Sequence, residues 1–132
     1  MKPKVRIIKL NDSGDTRGYS FTVPAEALKF LSRIRDVHVA SMVAGAVRGN
    51  HFHLRRREAI VIVHHGEWSL HWDEGEPTPA QHRQFSGAGA TLILVDPGAS
   101  HAVRNDGDQP ISLVALSSEV YDPAESVVRK VT

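Results

Sequence analysis

The stretch Gly45–Gly66, GAVRGNHFHLRRREAIVIVHHG, decides how the rest of the chain is read. His51 and His53 are separated by one residue, and Glu58 follows five positions after His53. Successive side chains of a strand alternate between faces, so histidines at this spacing point the same way, one above the other. Glu58 lies an odd number of residues from His53 and would face away on one uninterrupted strand. The chain must therefore bend between them, and Arg55, Arg56 and Arg57 suit a solvated turn far better than a sheet interior. The spacing predicts a turn over Gly45–Gly49, a strand over Asn50–Leu54, and a second strand over Glu58–His65. On that second strand Glu58, Ile60, Ile62 and His64 share a face. His101, in PGASHAVRN (Pro97–Asn105), follows a Pro-Gly turn and supplies a fourth candidate ligand.

Three imidazoles and one carboxylate suit one divalent metal ion per chain: zinc, manganese, iron(II), nickel or cobalt. Four protein ligands on an octahedral ion leave two positions for water or substrate, whereas a four-coordinate zinc would be more closed. The plainer reading leaves His51 and His53 facing solvent and pairs Glu58 with Arg55 or Arg56. The second histidine segment, and the glycines that punctuate both, favour the metal reading.

Working outward, the periodic segments favour strands. Val5–Leu10, Arg17–Val23, Val37–Val43, Glu67–Asp73, Gln81–Ser86, Thr91–Asp96, His101–Asn105 and Ile111–Ser117 all read so, with a closing strand over Val127–Val131. In Val37–Val43 the valines and Ser41 share one face, and His38, Ala40 and Met42 the other. Trp68, Leu70 and Trp72 form a core or dimer face, which leaves His71 with Glu67 and Asp73 in solvent. Clusters such as Asn11–Asp15 and Asn105–Pro110 mark the turns. Pro24–Ile34 is the one helix candidate, with Pro24 in its first turn and Ala27, Phe30, Leu31 and Ile34 on one side. Many short strands without βαβ alternation predict an all-β sandwich or closed barrel, one domain over 1–132 with the metal-site core at roughly 36–118.

The chain has 132 residues, enough for an independent core. Its 16 basic and 15 acidic residues nearly cancel, so charge announces no nucleic-acid partner. The absence of cysteine excludes disulfides, thiolate metal sites and a cysteine nucleophile. No signal-peptide pattern or membrane-length apolar stretch is present, so the expectation is a cytoplasmic protein without a membrane partner. An apolar early strand and an open-edged sandwich predict a homodimer.

The two histidine segments resemble the two motifs of the cupin superfamily. Gly45, His51, His53, Glu58 and Gly66 match the first, with one extra residue before the last glycine. Gly89, Pro97, Gly98, His101 and Asn105 match the second, except that Pro97 directly precedes Gly98. The resemblance implies the double-stranded β-helix, a jelly-roll barrel that hosts many chemistries. Arg48–His53 (RGNHFH) is similar to the signature of cupins that act on nucleotide-activated deoxysugars, the ketoisomerases and the C-terminal cupin of a capsular-polysaccharide epimerase/reductase. Asp15–Gly18 (DTRG) and the tail Glu119–Asp122 resemble segments of the same proteins and of keto-rhamnose epimerases. Ketoisomerases of this type commonly carry Gln at the position of Glu58 and work without metal, whereas the capsular cupin keeps the Glu.

That resemblance implies enolisation beside the ketone of a nucleotide sugar, a small-molecule substrate. A metal-held carbonyl would stabilise the enolate, and a histidine near neutrality would serve as base. With His51, His53 and His101 committed to metal, His64 is the candidate base, and Tyr121 or Tyr19 could return the proton. His64 also reads as a strand-end histidine, and Tyr121 as packing in the closing segment. A diphosphate needs fixed donors, for which Arg48 comes first and Arg17 second, with Asn50 beside them. Each arginine reads equally as a surface ion pair. Two other readings stay open: a non-catalytic ligand-binding sensor, and an iron-dependent oxidative cupin.

Overall fold

The short β-branched runs become ten strands in a computed structural model that describes residues 2–132. In chain order the elements are β1 (Val5–Lys9), α1 (Ala25–Leu31), β2 (Asp36–Met42), β3 (Val47–His53), β4 (Glu58–His64), β5 (Trp68–Trp72), β6 (Gln81–Phe85), β7 (Gly89–Val95), β8 (His101–Asn105), β9 (Ile111–Ser117) and β10 (Ser126–Val128). A 3-10 turn at Pro123–Glu125 precedes β10. All pairings between these strands are antiparallel, in two five-stranded sheets ordered β1-β7-β4-β9-β2 and β10-β3-β8-β5-β6. This is the all-β jelly roll implied by the two motifs, with one seven-residue helix.

Alternation sorts the side chains into two cores. Between the sheets lie Ile60 and Ile62 of β4, Ile93 and Val95 of β7, Leu113 and Ala115 of β9, and Trp68, Leu70 and Val103 from the facing sheet. Trp68 is fully buried and stacks on Phe85 at 4.2 Å, so the tryptophan stripe is core. The opposite face of β4 and β7, with Ala59, Val61, Leu92 and Leu94, is covered by Ala27 and Leu31 of α1. β4 is thus buried on both sides, as its unbroken apolar run predicts. Among the described residues no helix is long and apolar enough to cross a membrane.

Four local expectations are corrected. Arg17–Val23 is not a strand. The Asp12 carboxylate accepts from the amides of Gly14 and Ser20 at 2.7 and 2.9 Å, and Ser13 N donates to Ser20 O. Local bonds thus satisfy part of the backbone that a sheet would have paired, while Phe21 and Val23 pack on the outer core. Pro24 is the residue that caps α1 rather than part of its first turn. The turn predicted at Gly45–Gly49 ends sooner, because β3 pairs with β8 from Val47 onward. His71 and Asp73 are buried, not solvated: His71 accepts or donates with Ser69 Oγ at 2.9 Å and stacks on His82, and Asp73 pairs with Arg129.

Candidate metal centre and the cavity above it

β3 carries the decisive local feature. Its register against β8 runs Val47↔Arg104, Arg48↔Val103, Gly49↔Ala102 and then His51↔His101, so Asn50 is an extra residue, a β-bulge. Paired residues share a face, and Val103 belongs to the inner core. Without the bulge, Gly49 rather than Arg48 would share the face of His51. With it, Arg48, His51 and His53 all turn inward. Asn50 takes φ +60°, a left-handed conformation that Asn tolerates better than most residues. Gly49 is required by close approach: a Cβ there would lie 2.4 Å from His101 O.

β3, β4 and β8 bring together His51, His53, Glu58 and His101, with one donor atom from each lying within 4.8 Å of all the others. Glu58 Oε1 is 2.9 Å from His53 Nε2 and 3.2 Å from His101 Nε2. Glu58 Oε1 and His53 Nε2 are fully buried, yet neither finds an aligned hydrogen-bond partner among the described residues. The outer nitrogens are tied off. His53 Nδ1 sits 2.6 Å from Glu125 Oε1, and His101 Nδ1 3.1 Å from the carbonyl of Ala99. Oxygen acceptors on both Nδ1 positions favour, for the neutral rings, the tautomer protonated at Nδ1, which turns an Nε2 lone pair toward Glu58. Inward lone pairs with outward supports are what a divalent cation requires, and this donor set fits one.

The electrostatics agree. Burial, reinforced by His101 and His53, lowers His51 to about 4, so its imidazole is neutral at pH 7. Burial also opposes charge on His53, but Glu58 and Glu125 outweigh it and raise its pKa. Burial would push Glu58 up; contacts with His101 and His53 instead hold it well below the ordinary carboxylate range. Glu125 is likewise held low against burial, by the amides of Arg55 and Arg56 at 2.9 and 2.8 Å and by His53.

Two cavities meet at this cluster. One, about 440 Å³, runs past Arg56, Tyr121 and Asp122. The other, about 390 Å³, runs past Arg48, Ile60 and Val103. His38, His51, Glu58 and Ala115 line both. These are the sizes of small-molecule sites.

The remaining sequence candidates divide. Arg48 faces the second cavity, and its Nε donates to Ser41 O at 3.2 Å. Tyr121 borders the first cavity and is 74% exposed. Asn50 Oδ1 accepts from the amides of Val131 and Thr132, so its side chain holds the C-terminal tail. Arg17 is almost fully exposed, ion-paired with Asp15 at 2.7 Å, and borders neither cavity. His64 is corrected outright. It lies six residues from Glu58 on β4, about 20 Å at the strand rise. There it bonds Gly87 O and Thr91 Oγ1 and packs on Trp68, a buried structural histidine. Tyr19 stands beside His65 and Phe21, at that same end.

Three residues escaped the sequence reading. Glu125 is buried and orients His53, but a lone acid in a polar tail carries no periodic signal. Arg56 is buried within the arginine run, with Nε unpartnered and its terminal nitrogen 3.6 Å from Asp36. His38 pairs with Ala115 on the inward face of β2 and lines the cavities while still exposed to solvent, whereas Val37, Val39 and Val43 on the opposite face stand outside them. The second-motif Asn105 is a structural pin, donating to the carbonyls of Met42 and Gln109.

Residues 13–127 match the family model described as polysaccharide biosynthesis C-terminal domain. No curated protein matches in sequence. Among solved structures, a 3,4-ketoisomerase QdtA from Thermoanaerobacterium thermosaccharolyticum, a mutant in complex with TDP-4-keto-6-deoxyglucose, is 17% identical with TM-score 0.71, over 96% of this chain and 88% of that one. The rmlC epimerase of Mycobacterium tuberculosis is 20% identical with TM-score 0.74, over 96% and 68%. The capsular polysaccharide assembling protein CapF of Staphylococcus aureus is 20% identical with TM-score 0.61, over 72% of this chain and 26% of that one. At these identities the likeness is one of fold.

Proposed function

Because this chain belongs to the polysaccharide biosynthesis C-terminal domain family, we propose that it is a metal-binding isomerase or epimerase acting on a keto-containing, nucleotide-activated deoxysugar. The observation that carries the reading is the two-lobed cavity ending on His51, His53, Glu58 and His101. The fold is also that of a ketoisomerase in complex with TDP-4-keto-6-deoxyglucose and of an epimerase.

His51, His53, Glu58 and His101 would hold one divalent ion, of zinc, manganese, iron, nickel or cobalt type. Bound there, such an ion supplies Lewis acidity that polarises a carbonyl oxygen. The chain's own residues do the rest. Arg48 is anchored through Nε, so its terminal nitrogens remain as paired donors for a diphosphate at the mouth of one lobe. Tyr121 places a hydroxyl beside the other lobe, where it could deliver a proton to a sugar carbon. The apolar walls, Ile60, Val103 and Leu113, exclude water from beneath the ring. The proposal includes a homodimer, with the outward valines Val37, Val39 and Val43 as candidate face.

The test is solvent exchange. Protein loaded with each metal is incubated in deuterated water with TDP-4-keto-6-deoxyglucose and related keto sugars. Deuterium appearing at the carbon beside the ketone is the expected result. No exchange across metals and sugars overturns the reading, and oxygen uptake by iron-loaded protein in its place would favour the oxidative cupin.

A further inference from the structure

Removing a proton from carbon needs a base whose nitrogen is free and whose ring reaches the substrate. Most histidines of the barrel fail one condition or are committed to the metal in the function proposed above. His53 is held at both nitrogens, Nδ1 by Glu125 and Nε2 against Glu58. His101 is held by Ala99 O and faces Glu58. His51 lines both lobes and its ring makes no hydrogen bond among the described residues, but in that proposal it is committed to the metal, its ring 4.9 and 5.2 Å from those of His53 and His101. His64 is pinned at the far end of β4. His71 and His82 stack on each other on β5 and β6, away from both lobes.

His38 meets both conditions. It projects from β2, the edge strand of its sheet, and pairs in register with Ala115 of β9. It lines both lobes of the cavity, at the place where they join above Glu58 and His51. Among the described residues its ring makes no hydrogen bond or ion pair, and it is exposed to solvent through the mouth. A substrate spanning the lobes, with its diphosphate toward Arg48, would carry its ring past this imidazole.

Resting on the function proposed above, we infer that His38 is the acid–base catalyst of the site. A ring nitrogen of His38 takes the proton from the carbon beside the ketone. The C–H electron pair becomes a carbon–carbon π bond, and the carbonyl π pair moves onto oxygen, giving an enolate. Return of a proton, from the His38 imidazolium or from the opposite face, collapses the enolate to a ketone. Nothing is oxidised or reduced overall.

The experiment compares wild type, His38→Gln and His38→Ala in the deuterium-exchange assay, alongside zinc affinity and TDP affinity. His38 is at the surface of an edge strand, so both variants should fold, which circular dichroism checks. The expected result is a loss of exchange by about 100-fold or more in both variants, with zinc and TDP affinity unchanged. Added imidazole should restore exchange to His38→Ala, since the vacated position opens to solvent. Exchange by His38→Gln at the wild-type rate overturns the inference and leaves the proposed function standing. Loss that imidazole does not restore makes His38 a positioning residue and equally overturns it. Absence of exchange by wild type overturns the proposed function, and this inference with it.

Discussion

Glu125 is almost wholly buried, and its two oxygens divide their work: Oε1 accepts from His53, and Oε2 from the amides of Arg55 and Arg56. One carboxylate therefore orients a candidate ligand and fixes the turn that brings Glu58 back to the same face. Glu125→Gln keeps the shape but replaces one acceptor with a donor. Zinc affinity should fall by about 10–100-fold, the usual cost of losing such a support, with the far-UV spectrum unchanged; chelator competition measures it. Affinity equal to wild type would reduce Glu125 to a strut for the turn. His51 carries a second prediction. Its folded pKa, about 4, lies below the ordinary 6.5, so between those values the unfolded chain binds a proton that the folded chain lacks. Metal-free protein should lose stability as pH falls through that window. His64 and His71, also lowered mainly by burial, act in the same direction. His53 is raised, so its contribution is complete below its ordinary value and fades only as pH rises through the raised one. His51→Gln should flatten the dependence between about pH 4 and 6.5, read from urea midpoints in chelator; an unchanged slope would assign it to the other two histidines.

β3 shows how far alternation reaches and where it stops. The period-two rule was enough to pair His51 with His53, and the odd spacing to Glu58 required a bend, which the structure supplies between β3 and β4. β8 and β9 were legible to the residue because Pro-Gly and Asn-Asp-Gly turns bracket them. The bulge at Asn50 was not, because Gly49-Asn50 in isolation carries the chemistry of a turn, and only pairing with β8 reveals that the strand continues through it. Arg56 was misread for a related reason: burial of an arginine depends on the tail that folds over it, a contact about sixty residues away in sequence. The C-terminal segment that completes the site is held by tertiary bonds, Asn50 to the amides of Val131 and Thr132, and Arg129 to Asp73, and such bonds have no local pattern. The bulge can be tested directly. Gly49→Ala combines φ +115° with a Cβ 2.4 Å from His101 O, so β3 and β8 must part beside the His51–His101 pair. Destabilisation of about 1–3 kcal/mol is expected, with weaker zinc binding. Gly66→Ala, where a Cβ meets open space, is the control and should leave both nearly unchanged. Equal effects of the two substitutions would remove the close-approach argument.

At the scale of the whole molecule, the cluster is one place where the two sheets meet through polar groups rather than through the apolar core. His51, His53 and His101 come from β3 and β8 in one sheet, and Glu58 comes from the centre of the other. The sandwich is also open along β2 on one sheet and β10 on the other, the edges beside the cavity. A cation bound to all four donors would tie the sheets together at that open side, and unfolding would have to release it. Binding to the folded state alone stabilises by an amount set by concentration relative to affinity, about 2.7 kcal/mol at a hundredfold excess over Kd. Denaturant unfolding in chelator and in graded zinc or manganese should therefore show a midpoint that climbs with the logarithm of free metal. Glu58→Gln removes the one donor contributed by the opposite sheet, while His53 and His101 keep their outer supports from Glu125 and Ala99. This variant should retain weak metal binding through its histidines yet lose most of the rise in midpoint. If instead it climbs as steeply as wild type, the ion is held by one sheet alone, and Glu58 belongs to the protein's internal charge balance.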